Sequence, residues 1–290
     1  MYSAVCSISL FLIGSAISFA QPATEPVGIR GSQCDVDVYG NIVVLDTDHN
    51  VVRLYTKERA LLREVGGSGW ENDQFDRPAG LWARNGIDIF VADYGNHRIQ
   101  RFDRKLNFIS SFSTRESSRP DERFGYPTDV ALSRLGDLYI CDGENSRIIK
   151  VNRFNQVERP FGGFDAGEGR LHQPTRVQLG PKDYVYVLDG NRIVVFDSFG
   201  NYIHDLRGLT KPASFYADGD GILVLDEDRL TCFDVEERPI RAIPISAIIE
   251  GEDDIRSLSM GRGSLWVMTA SGLTNLPDPC SAEGQKKLDK

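Results

Sequence analysis

The sequence predicts an all-β fold, a six-bladed β-propeller of four-stranded antiparallel blades, and three observations predict it. An apolar residue, two others and a proline recur four times, at Pro78, Pro127, Pro174 and Pro212. Each proline is followed fourteen or fifteen residues later by an aspartate that closes a short apolar run: Asp93, Asp142, Asp189 and Asp226. Asp46 ends a similar run without the proline, and successive aspartates lie 47, 49, 47 and 37 residues apart. A period in the forties built from short apolar segments marks a four-stranded sheet repeated around an axis.

The elements follow in order. The first unit fits the frame around Gly40 and Asp46, with Gly31 where the proline would stand. The second carries Pro78 and Asp93. The third is the cleanest: Thr128–Ser133, Asp137–Cys141, Arg147–Asn152 and Gln156–Phe161 read as four strands, with turns at Leu135-Gly136 and at Asp142-Gly143-Glu144-Asn145. Short apolar runs bounded by Gly, Asn and Asp are the hairpin signal. The fourth and fifth units repeat the pattern around Asp189 and Asp226. The sixth has strands at Ile255–Met260, Ser264–Thr269 and Gly272–Leu276, with Thr269 in the aspartate's place, and no fourth strand before Pro277 and Pro279. An open edge invites aggregation, so Val27–Arg30 is expected to close the ring as the outer strand of the last blade. The domain is expected to span 26–276, with 277–290 a disordered polar tail.

Asp93-Tyr94-Gly95-Asn96-His97-Arg98-Ile99 and Asp142-Gly143-Glu144-Asn145-Ser146-Arg147-Ile148 resemble the core of the NHL repeat, as do Phe75-x-x-Pro78 and Phe124-x-x-Pro127. The fourth unit is similar with a shorter turn, Asp189-Gly190-Asn191-Arg192-Ile193. The resemblance is clearest over residues 70–200 and implies a six-bladed β-propeller. The aspartate is expected to accept hydrogen bonds from the turn that follows it, and the arginine to pair with a carboxylate of its own or the adjacent blade.

A net charge of −9 argues against nucleic acid as a partner. Ile8–Phe19 followed by Ser18-Phe19-Ala20 reads as a signal peptide over 1–20, too short to span a bilayer, so the chain is expected to be exported, to the periplasm or the extracellular space. Cleavage would leave Cys34, Cys141, Cys232 and Cys280, with three possible pairings. Their spacing argues against zinc, and Cys141 and Cys232 lie inside strand patterns, which favours two or more free buried thiols, with a Cys34–Cys280 clasp as the disulfide weighed against them. The chain is expected to be monomeric.

Chemistry has few footholds. The four histidines, His49, His97, His172 and His204, occupy no equivalent inner-strand positions, although the amidating lyases that share this repeat type hold zinc through channel histidines. No nucleophile motif is present. No cofactor is expected; Asp35, Asp37, Asp129, Asp253 and Asp254 leave a channel calcium ion open. Aligning the first strands puts Gln33, Gly80, Asp129, Arg176, Ser214 and Ser257 at one level of the channel, and Asp35, Trp82, Ala131, Gln178, Tyr216 and Ser259 at the next. Trp82, Asp129, Arg176, Gln178 and Tyr216 are the expected ligand-binding residues, set against a structural Asp129–Arg176 ion pair. The favoured function is a non-catalytic scaffold recognising a protein, peptide or glycan through one face of the ring. The alternative is a channel-site metal-dependent lyase or lactonase-like hydrolase.

Overall fold

The computed structural model describes residues 28–249 and 254–281. Twenty-two strands there form six antiparallel sheets arranged as the blades of one ring. Blade 1 holds β1 (Gln33–Val36), β2 (Ile42–Asp46), β3 (Val51–Tyr55) and β4 (Leu61–Gly66). Blade 2 holds β5 (Pro78–Trp82), β6 (Asp88–Asp93), β7 (Arg98–Asp103) and β8 (Phe108–Phe112). Blade 3 has three strands, β9 (Pro127–Leu132), β10 (Leu138–Asp142) and β11 (Arg147–Val151). Blade 4 holds β12 (Pro174–Leu179), β13 (Val185–Asp189), β14 (Arg192–Phe196) and β15 (Tyr202–Asp205). Blade 5 holds β16 (Pro212–Ala217), β17 (Ile222–Asp226), β18 (Arg229–Phe233) and β19 (Pro239–Pro244). Blade 6 again has three, β20 (Ile255–Gly261), β21 (Ser264–Thr269) and β22 (Leu273–Pro277).

The second strands are buried along their whole length, as strands covered on both faces must be. Apolar side chains between neighbouring blades make up the core; Val43, Leu45 and Val52 of blade 1 pack with Leu81, Ile89 and Val91 of blade 2. A β-bulge recurs one residue into the first strand of blades 2 to 6, at the proline where the frame has one. It re-aims the strand at the channel entrance.

The expected fourth strand of blade 3, Gln156–Phe161, is reduced to two isolated bridges, Val151 to Val157 and Ile148 to Phe161. Pro160 has no N–H to donate, and the ladder cannot run through it. Nor is the ring closed as expected. Val27 lies outside the described residues, and Gly28–Arg30 forms no strand. Ile29 is instead buried at the seam between blades 1 and 6, among Cys34, Trp266, Met268 and Leu273, with its carbonyl close to Gly272. Closure is by packing of β1 on β20. Across that seam the Cys34 N–H donates to Ser257 Oγ at 3.1 Å and Ser259 Oγ donates to Asp35 Oδ1 at 2.9 Å.

The buried aspartates act on a different loop from the one expected. Asp93 Oδ1 accepts the Asp76 N–H at 2.9 Å, and Asp142 Oδ1 accepts the Gly125 N–H at 3.1 Å. Asp189 holds the N–H groups of His172 and Gln173, and Asp226 those of Thr210 and Lys211. These donors all precede the first strand of the same blade; only Asp46 takes a backbone N–H from its own following turn, that of His49. The arginines behave as expected: Arg98 Nε donates to Asp93 at 2.8 Å and Arg147 Nε to Asp142 at 2.9 Å. Arg98 also donates to the carbonyls of Trp70, Glu71 and Gln74 in that same loop.

Cys34 and Cys141 are free and buried, the two thiols expected; of the pair inside strand patterns the expectation holds for Cys141 but not for Cys232, which is oxidised. The Cys34–Cys280 clasp is not formed, because Cys280 is bonded to Cys232 on β18. The pair's Cα atoms lie 5.7 Å apart and close a loop of 48 residues, which would restrict the unfolded chain by about 4 kcal/mol on a chain-entropy account. Peptide mapping after alkylation without reductant should find Cys34 and Cys141 labelled and Cys232 joined to Cys280. Cys280→Ser should lower the urea midpoint markedly. Labelling of Cys280 in the unreduced protein would exclude the bond.

Candidate functional site

The six first strands, β1, β5, β9, β12, β16 and β20, line the central channel, and their pairing registers place side chains at the levels the sequence frame defines. Gly80, Asp129, Arg176 and Ser257 stand opposite Ala92, Cys141, Leu188 and Met268 of their second strands. Most polar side chains at these levels bind the backbone of the next blade. Gln33 Nε2 donates to the Leu81 carbonyl at 3.2 Å, and Asp35 Oδ2 accepts the Ala83 N–H at 2.9 Å. Asp129 Oδ2 accepts the Val177 N–H at 3.0 Å. Gln178 makes both bonds of its amide to blade 5, donating to the Phe215 carbonyl at 2.9 Å and accepting the Ala217 N–H at 2.7 Å. Blade 2 contributes none of these bonds from Gly80, whose bare Cα lets Asp129 approach; a Cβ there would collide with the Asp129 backbone and carboxylate.

The five expected ligand-binding residues are therefore not brought together at one surface. Trp82 is core, packed at the blade 2–blade 3 interface with Phe90 and Ala131. Asp129 and Gln178 hold neighbouring blades. Arg176 makes no ion pair with Asp129; its guanidinium donates to the Arg256 carbonyl at 3.1 Å. Only Tyr216 borders an open cleft.

That cleft has a volume of about 650 Å³ and runs from the channel mouth outward between blades 5 and 6. Tyr216, Ile222, Phe233, Ile240 and Met260 give it apolar walls, and Asp37, Asp218, Asp220, Asp234 and Asp278 place carboxylates around it. Arg84 marks its inner end. The guanidinium lies 4.2 Å from the centre of the Tyr216 ring, donates to Asp35 at 3.1 Å and to the Ala217 carbonyl at 2.8 Å. Burial and the nearby carboxylate of Asp218 push the Tyr216 phenol up, against the pull of Arg84. Cys280 and Ser281 form the outer wall, which the disulfide anchors to β18. The sequence frame stopped one level short: two residues further along each first strand come Asp37, Arg84, Ser133, Gly180, Asp218 and Gly261, four of which line the cleft.

None of the histidines converge. His97 Nδ1 accepts the Tyr126 N–H at 3.1 Å, and burial and the charge of Arg115 hold its pKa below the ordinary value. His49 and His172 sit beside Asp46 and Asp189, and His204 beside Glu237. Among the described residues no group of three or more His, Cys, Asp or Glu side chains could hold a metal ion; Asp253 lies outside them. No described helix is long and apolar enough to cross a membrane.

The model of the NHL repeat matches residues 124–150, the loop and three strands of blade 3. Blade 3 thus carries an NHL repeat within a six-bladed propeller. Among curated relatives, it is similar to Protein brain tumor of Drosophila melanogaster, 32% identical over 145 residues that make up 49% of this chain and 13% of that one. It is similar also to a probable peptidyl-alpha-hydroxyglycine alpha-amidating lyase of Caenorhabditis elegans, 32% identical over 109 residues, 36% of this chain and 29% of that one. The matched segments thus span less than a third of the length of either of these two relatives. Among solved structures it shares its fold with virginiamycin B lyase from Staphylococcus aureus, at a TM-score of 0.59 and 14% identity over 83% of this chain and 78% of that one.

Asp129 is 3% exposed, and its Oδ1 has no hydrogen-bond partner. Burial pushes its carboxyl up to about 7, against the opposing effects of Arg176 and the Val177 N–H. Between about pH 4 and pH 7 the folded chain keeps a proton that the unfolded chain releases, so this residue makes the fold less stable as the pH rises through that window. Asp129→Asn keeps an acceptor for Val177 without the charge. The variant's stability relative to the parent should grow from pH 4 to pH 7 and stay level above; a difference independent of pH would show that the carboxylate charge is not responsible.

Proposed function

We propose that this NHL propeller is an exported, non-catalytic recognition module that takes a protein, peptide or glycan partner on the face of the ring carrying the hairpin turns between first and second strands. One observation carries the reading. The polar side chains that a channel ligand would need are mostly engaged in blade-to-blade bonds, while the open, mixed apolar and charged cleft lies at the channel mouth on that face. Ligand sites are commonly concave and largely apolar, with a few polar groups fixing orientation. The leader over 1–20 lies outside the described residues; the Cys232–Cys280 bond supports export, since such bonds persist in oxidising compartments. N-terminal sequencing of protein recovered outside the cytoplasm should begin at Gln21.

The second reading is a channel-site metal lyase, and the similarity to the amidating lyase favours it. Elemental analysis and melting with and without a strong chelator separate the two. The recognition reading expects no stoichiometric zinc or calcium and an unchanged melting temperature. One metal ion per chain, with a chelator-sensitive fold, would replace it with the enzyme.

A further inference from the structure

Resting on that recognition reading, we infer that the cleft between blades 5 and 6 takes a cationic segment of a partner protein, an extended stretch carrying lysine or arginine beside an apolar side chain. The apolar walls run between two exposed anchors, Val38 at the channel mouth and Ile240 on β19, which are 64% and 55% exposed. A partner's apolar side chain would cover them.

The charge around the cleft sets the partner's sign. Five aspartates face two arginines, and the arginines are already engaged. Arg84 is held by buried Asp35, and Arg262 donates to the Tyr39 carbonyl at 3.0 Å. The Asp37 and Asp278 carboxylates accept only N–H groups of their own turns and, for Asp37, the side-chain amide of Asn41, with no ion pair to either, whereas Asp218 also lies near the Tyr216 phenol and the Arg84 guanidinium. Asp234 is paired with Arg238. The Asp220 side chain is exposed and makes no hydrogen bond or ion pair. The chain's own Arg134 reaches from the corresponding turn of blade 3 to Gly219, between Asp218 and Asp220, without an ion pair to either. That turn thus already draws one guanidinium and leaves the exposed Asp220 carboxylate open to another. Complementary charge at a cleft mouth raises the rate of encounter and rejects acidic partners.

The test uses the full chain and three fluorescent ten-residue peptides, alternating Lys–Leu, Glu–Leu and Ser–Leu, read by polarisation at low and high salt. The Lys–Leu peptide should bind at least about tenfold tighter than the others and weaken as salt rises. The double variant Asp218→Asn with Asp220→Asn should lose at least about tenfold, while Glu71→Gln with Glu116→Gln, which removes the same charge elsewhere, should change by less than about twofold. Ile240→Ser, which removes the apolar wall without adding charge, should weaken the peptide without altering the melting temperature. Equal losses in the two double variants would reduce the effect to the net charge and overturn the proposal. So would preference for the Ser–Leu or Glu–Leu peptide at the cleft, an outcome that keeps the recognition module and removes its cationic partner. A tenfold gain on changing Lys286, Lys287 and Lys290 to Gln would assign the cleft to the chain's own C-terminal segment and overturn the proposal as well. Failure of the recognition reading itself is seen separately, as a stoichiometric metal.

Discussion

The propeller depends on a buried carboxylate at the end of the second strand in blades 2 to 5 that fixes the loop leading into its own blade. Asp93, Asp142, Asp189 and Asp226 are at most 3% exposed, so their charge is tolerable only because charge-assisted donors surround it. Those donors come from residues one or two positions before the proline. Each aspartate therefore sets where the chain re-enters the ring, and the arginine opposite it on the neighbouring third strand grips the carbonyls of the same loop in blade 2. Removing one partner would leave a buried charge uncompensated, the costliest way to lose such a contact. The repeat recurs within the chain because blades 2 to 5 solve the same problem with the same atoms.

The channel shows a second use of polar atoms. A ring of sheets has a crowded axis where first-strand side chains must satisfy themselves, and here they do so by reaching forward to the next blade's backbone. Gln33, Asp35, Asp129 and Gln178 make this forward reach, and the Cys34 N–H makes the corresponding bond back to Ser257 across the closing seam. With these groups engaged at the axis, the open concave surface lies further out, in the cleft between blades 5 and 6 with its carboxylates and exposed apolar walls.

How much of this was legible depends on the range of the interaction. The spacing of proline and aspartate is local chemistry repeated, and it located the second strand of five blades and the channel levels correctly. The same regularity misplaced the fourth strand of blade 3, since a repeat frame does not register that Pro160 lacks a donor. It also misassigned Val27–Arg30, because hydrophobic content at Ile29 is consistent with either an edge strand or a seam filler. Trp82 and Tyr216 stand at one level in the frame yet end in different surroundings: the first is sealed by blade 3, the second lies under Arg84. The outer wall of the cleft was out of reach, since it exists only because Cys232 and Cys280, 48 residues apart, meet in space.

That covalent link bears on how the ring would come apart. Repeat arrays are held by neighbour contacts and tend to unravel from their ends, and a propeller has its ends at one seam. With Cys280 fastened to β18, the last blade cannot peel away while blade 5 stands, and the C-terminal end is lost as a starting point for fraying. Unzipping must then begin at blade 1, where hydrogen bonds among Cys34, Ser257, Asp35 and Ser259 and the apolar packing around Ile29 hold the seam with no covalent link. A reducing environment would return the weak point to both sides of the join.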